Sequence, residues 1–148
     1  MSLKSNIGEL VTRWRDQDIE MHPPFPKEVI HQVFNDIGVP ATDDVVALYE
    51  SLGGMSNMND DNWRIWSLQE ISHANQDLSE FGVIFSDYLL DCYHFRLKPV
   101  SEAVSEVWIE GFDDGQPVCV AKSLDDFFER YVISPESVLH APYRPITN

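Results

Sequence analysis

The sequence predicts an α+β domain, and three observations carry that prediction. Apolar residues recur at spacings of three and four in the first third of the chain and again after residue 122, the period of an amphipathic helix. Between Trp63 and Ala121 apolar and polar residues alternate in short runs, the period of a half-buried strand. Helices gathered early and strands late exclude the strand–helix alternation of a doubly wound sheet. The 148 residues suit one domain around one core, and a sheet of about four to six strands is ordinary at that size. The three early helices and the last one are expected to bury their apolar stripes on that sheet.

Leu3, Ile7, Leu10, Val11, Trp14 and Ile19 form the stripe of a first helix over residues 3 to 20. The run HPPFP at 22 to 26 cannot continue it, because proline lacks an amide donor and restricts the residue before it. Pro26 suits the first turn of a second helix, with Val29, Ile30, Val33, Phe34 and Ile37 on one side and Gly38 as its stop. Thr42 reads as an N-cap; Asp43 and Asp44 favour the positive end of a third helix whose apolar face is Val45, Val46, Leu48, Tyr49 and Leu52. Gly53 is placed as that helix's left-handed stop, with Gly54 turning the chain away. This glycine pair follows a helix and has no lysine–hydroxyl sequel, so it is not a phosphate-cradling loop.

Residues 63 to 68 read as a strand and 68 to 75 as a short helical turn. An apolar run over 81 to 85 precedes a strand in which Tyr93, Phe95 and Leu97 alternate with Cys92, His94 and Arg96. Val107 and Ile109 then oppose Glu106, Trp108 and Glu110, and a turn at 112 to 116 closes a hairpin with residues 117 to 121. Ser123 caps a last helix with Asp126 at its third position, and Leu124, Phe127, Phe128 and Tyr131 form its apolar side. From Ser134 the chain is a proline-punctuated tail.

Ten basic and 25 acidic side chains give a net charge of -15. Such a charge repels nucleic-acid backbones and anionic membranes and favours a basic protein partner, although solubility alone is a competing account. No apolar run reaches the length of a membrane span or a signal-peptide core, and Cys92 and Cys119 read as two ordinary buried thiols. The expected location is the cytoplasm.

Three stretches carry a resemblance. ALYESLGG (47 to 54) follows Pro40, IWSLQEI (65 to 71) continues a Trp-Arg-Ile-Trp strand, and AKSLDDFFERYV (121 to 132) opens the last helix. In this order they resemble the SUKH superfamily, the Smi/Knr-like proteins, over residues 26 to 133 of a single domain spanning 1 to 148, with 134 to 148 as a tail. The resemblance implies a mixed, mostly antiparallel sheet packed with helices. It also implies binding rather than catalysis: many bacterial members are immunity proteins that neutralise a toxin, often a nuclease, and eukaryotic members regulate cell-wall synthesis through protein contacts. No binding residue carries across from the family.

Enzymatic signatures are sparse. The five histidines are scattered without a zincin pairing, and there is no Gly-x-Ser-x-Gly elbow. Cys92, His94 and Cys119 could supply three metal ligands, but no second pair of ligand spacing completes them; the simpler account packs Cys92 under a helix. No metal or cofactor is expected. Asp43-Asp44 and Asp125-Asp126 stand at helix starts, where the dipole explains them. The loop pairs Asp60-Asp61 and Asp113-Asp114 are either solvated turns or contacts to a basic partner. Trp66 is expected in the core. Trp108 shares its face with Glu106 and Glu110, so it is either a rim-type interface anchor or covered by a helix. Residues 57 to 62 are expected to form an exposed polar loop beside Trp63. The candidate partner-binding set is therefore Asp60, Asp61, Trp63, Trp108, Asp113 and Asp114, on a non-enzymatic module most simply read as an immunity protein for a cationic toxin. A regulatory scaffold and a small hydrolase are the competing classes.

Overall fold

The computed structural model describes residues 2–77, 79–111 and 116–140. Its elements run α1 (Leu3–Asp16), α2 (Lys27–Ile37), α3 (Asp43–Ser51), β1 (Trp63–Ile65), α4 (Leu68–Ala74), β2 (Val83–Tyr88), β3 (Tyr93–Pro99), β4 (Ser105–Glu110), β5 (Val118–Ala121) and α5 (Leu124–Ile133), then a 3-10 turn at Pro135–Leu139. The five strands form one antiparallel sheet in the order β1-β2-β3-β4-β5. Each strand is thus beside the next in sequence, as short connections require. The α+β prediction holds, and every strand pairing is antiparallel.

Pairing fixes which side chains share a face. Trp63, Ile65, Phe85, Phe95, Leu97, Val107 and Ile109 are buried on the inner face, against Leu124, Phe127, Phe128 and Tyr131 of α5. Arg64, Asp87, His94 and Glu110 make a cross-strand row on the outer face, and Arg96 pairs with Trp108 beside it. Helix α5 rests on β4 and β5, whereas α1 and α3 pack on α5, and α2 on α3 and α4. The early helices therefore form a second layer over α5 rather than lying on the sheet, because the aromatic stripe of α5 already fills the inner face. Among the described residues no helix is long and apolar enough to cross a membrane.

Several local expectations meet a different outcome. Helix α1 ends at Asp16, four residues early: Asp18 takes a left-handed φ of 60, and Ile19 returns its N–H to the Trp14 carbonyl at 2.9 Å, burying itself from outside the helix. Gly38 stops α2 at φ 101 as expected, but Val29 on that helix is 40% exposed.

Gly53 is not left-handed; Gly54 is, at φ 118. Helix α3 ends instead with Leu52 in extended backbone. Its two following glycines lie against the proline connector: the Gly53 N–H donates to the His22 carbonyl at 3.1 Å, and the His22 N–H to the Gly54 carbonyl at 2.8 Å. A Cβ on Gly53 would stand 2.0 Å from the Pro23 carbonyl oxygen, and one on Gly54 would meet the Ser67 backbone. Close backbone approach, not helix termination, requires glycine at 53.

Candidate partner-binding surface

The polar loop after Gly54 is held in a defined shape by its own asparagines. The Asn57 side chain accepts the Glu20 N–H at 3.1 Å. Asn59 is buried, and its amide oxygen accepts the N–H groups of Asp61 (2.9 Å) and Trp63 (3.1 Å) while its amide nitrogen donates to the Tyr131 hydroxyl at 2.8 Å. Asn62 takes φ 62, a conformation asparagine tolerates, and its carbonyl receives the Leu89 N–H at 2.8 Å. Asp60 and Asp61 are thereby projected into solvent from a pinned backbone. Asn59 is the residue whose role the sequence concealed, since asparagines in a polar gap read alike until one of them is covered.

The Tyr131 hydroxyl, receiving from Asn59, donates onward to Asp61 Oδ2 at 3.5 Å. Burial pushes this phenol far above its ordinary pKa, the Asn59 donor opposing and Asp61 adding to the effect, so it acts as a neutral donor. Around it opens a cleft of about 420 Å³ lined by Asp61, Tyr88, Tyr131, Ile133, Glu136 and Leu139 among others. A second cleft, of about 220 Å³, shares Tyr88 and Leu139 and adds Leu89, Tyr93, Ile109 and His140. No lysine or arginine is among the described residues lining either cleft. Ile133 is 82% and Leu90 81% exposed here, two of the large apolar side chains the fold leaves in solvent. Leu90 rides a hairpin tip in which Leu89, Leu90 and Asp91 all take positive φ, at 55, 51 and 68. Three non-glycine residues in this region form a strained turn.

Trp63 does not stand on the rim of this surface. It is 1% exposed, with its ring 4.4 Å from Tyr131 and within about 6 Å of Trp14, Phe127 and Phe128. Its position in β1 opposite Tyr88 turns it inward under α5, so the expectation of a partner-contacting Trp63 is corrected to a core residue.

Trp108 is half-buried on the outer face. Lys98 Nζ lies 5.0 Å from its ring centre, Phe81 packs at 5.4 Å, and its N–H donates to Glu106 at 3.0 Å. Among the described residues its ring and N–H partners come from strands and a loop rather than from a helix. Facing outward, it lies on the opposite side of the sheet from Trp63 and Tyr88, and the fold does not bring it to the Asp60–Asp61 loop. Asp113 and Asp114 lie outside the described residues.

Trp66 is buried as expected, but over the outer row: its N–H donates to Asp87 at 2.6 Å and its ring meets His94. Arg64 bridges Glu70 (2.8 Å) and Asp87 (3.5 Å) beside it. Cys92 is exposed in the strained turn and Cys119 half-buried in β5, so neither is the buried thiol expected. Cys92 precedes β3 rather than lying within it, which leaves no helix above it. Among the described residues no group of three or more His, Cys, Asp or Glu converges in a way that could hold a metal.

No protein-family model matches the sequence, and no curated protein matches it.

Proposed function

We propose that the chain is a non-enzymatic binding module that captures a basic protein at the end of the sheet, and that it acts in the cytoplasm as an immunity-type protein of the SUKH kind against a cationic toxin domain. The observation that carries this reading is the pairing of Asp60 and Asp61, exposed on a pinned loop, with the exposed apolar Ile133 and Leu89 at clefts lined, among the described residues, by no lysine or arginine, and with exposed Leu90 next to Leu89. Apolar side chains in solvent beside exposed carboxylates have the composition of an interface whose rim steers an oppositely charged partner. The net charge of -15 adds a long-range attraction of the same sign. The resemblance supplies the class of partner, and the carboxylate loop supplies its charge.

The test is co-purification of the tagged protein with the product of the adjacent gene. Retention of a basic partner at low salt and its neutralisation in an activity assay support the reading. A regulator of the same fold would instead have no toxin gene with a secretion signature beside it. Saturable turnover of an ester, phosphate or glycoside by the purified chain, lost on changing one polar residue, would overturn it.

A further inference from the structure

The hairpin between β2 and β3 breaks the rule of its own turn. Leu89, Leu90 and Asp91 occupy the left-handed region, which tight hairpins reserve for glycine and asparagine because a Cβ crowds the following carbonyl there. Three bonds hold the chain in this state. Leu89 donates its N–H to the Asn62 carbonyl at 2.8 Å, Cys92 to the Leu89 carbonyl at 3.1 Å, and Asp91 to Asp87 Oδ2 at 3.0 Å. Asp87 is 2% exposed and is itself fixed at Oδ1 by the Trp66 indole N–H and by Arg64. Strain of this kind persists only where the surrounding contacts over-determine it. Leu89 gains packing from its position, since its side chain lines the smaller cleft with Tyr88 and Tyr93. Leu90 gains none, being 81% exposed. A left-handed leucine in solvent is unfavourable in both backbone and side chain, and glycine would serve the free chain better.

We propose that Leu90 is the anchor of the partner interface, a rigidly presented apolar knob that fills a pocket in the basic protein while Asp91, Asp60 and Asp61 meet the cations around that pocket. The inference rests on the reading of the chain as a capture module for a basic protein, and it names the residue that dominates the contact. The bond from Leu89 to Asn62 joins the tip to the loop of Asp60 and Asp61, so anchor and carboxylates form one unit. The Asp91 side chain is 71% exposed and completes the acidic rim. A knob already held in its bound shape associates without the ordering cost of a flexible loop. A buried anchor inside a polar rim is also the arrangement in which a few residues carry most of the binding energy.

The experiment titrates the purified product of the adjacent gene into the full chain and into its Leu90→Ala, Leu90→Met and Leu90→Gly variants by calorimetry, with a thermal melt of each free protein. Leu90→Ala keeps the left-handed strain and removes the knob, so the expected result is affinity about tenfold weaker or more at an unchanged Tm. Leu90→Met conserves volume and should stay within severalfold of the parent. Leu90→Gly relieves the strain: its Tm should rise by a few degrees while its affinity falls at least as far as that of the alanine variant. A gain in stability joined to a loss of binding is the signature of a residue kept for its partner. Equal binding by all four chains would overturn the anchor and leave the basic-partner reading standing. A Leu90→Gly Tm at or below the parent's would show that the free chain itself needs this leucine and would also overturn the anchor. A dimer of the free chain abolished by Leu90→Ala would assign the tip to a second copy, against the proposal. No binding of the adjacent product by the parent would overturn both readings.

Discussion

The carboxylate of Asp44 accepts the backbone N–H of Leu124 at 3.2 Å, tying the start of α3 to the start of α5 across 80 residues of chain. The same group takes the Ser105 N–H at 3.2 Å and the Thr42 hydroxyl at 2.6 Å, so one buried side chain joins α3, β4 and α5. Thr42 spends its hydroxyl on Asp44 and Ser105 and leaves the end of α3 without a side-chain cap. Removing this acceptor strands two buried N–H groups. Asp44→Ala should therefore lower stability by roughly 2 to 6 kcal/mol, at about 1 to 3 kcal/mol per unsatisfied group, measurable by urea unfolding.

The same residue makes a pH prediction. Burial raises the Asp44 carboxyl above its ordinary 3.8, against the opposing hydrogen bonds from Thr42, Ser105 and Leu124. The folded state then holds this proton more tightly than the unfolded state. Its contribution to stability is fully present below 3.8 and is lost as pH rises through the folded-state value. Asp44→Asn lacks the titration, so its Tm relative to the parent should climb from acid pH through that window and then level off. A difference independent of pH across the window would refute the assignment.

Gly53→Ala discriminates between two reasons for a glycine. Where the added methyl meets no obstacle, alanine in place of glycine stabilises by about 0.4 to 1 kcal/mol through the unfolded chain. Here the methyl would lie 2.0 Å from the Pro23 carbonyl oxygen, and backbone must move. The expected change is a loss of about 2 kcal/mol or more, with Gly53→Val no better. A raised melting temperature in the alanine variant would show that the connector does not press on this residue.

The two tryptophans should separate cleanly. Trp63→Ala empties the centre of the aromatic cluster and should cost about 3 to 5 kcal/mol. Trp108→Ala gives up a half-exposed ring and its cation–π contact with Lys98, about 1 kcal/mol. Thermal melts of both variants read the contrast directly, and similar losses would contradict the opposite faces of the two rings.

Asp60→Asn/Asp61→Asn should slow association with a basic partner by about two- to tenfold at low ionic strength, with the difference shrinking as salt screens the attraction. Melting should shift little, because Asn57 and Asn59 pin the loop and an amide oxygen at position 61 can still accept the long 3.5 Å hydrogen bond from the Tyr131 hydroxyl. Stopped-flow kinetics at two salt concentrations decide it. An association rate that ignores both the substitutions and the salt would remove this loop from the interface.

What the sequence determined by itself is the local part of the molecule. The stripe of α5, its Ser123 cap and the stop at Gly38 were legible because helix period, capping and left-handed backbone are settled within a few residues of each other. The alternation around Phe95 and Val107 likewise assigned the inner face before any pairing was known. Tertiary structure decided everything that depends on which segment approaches which. Asp44 looked like a helix-dipole acid until β4 and α5 arrived to donate to it, and Gly53 looked like a helix stop until the proline connector lay against it. Trp63 and Trp108 occupy similar strand patterns, and only the docking of α5 on one face of the sheet made the first a core residue and left the second half-exposed. The cleft was illegible for the same reason: residues 61 to 63, Tyr88 and 131 to 139 are distant in the chain, and only burial of the α5 aromatics brings their remaining surfaces together.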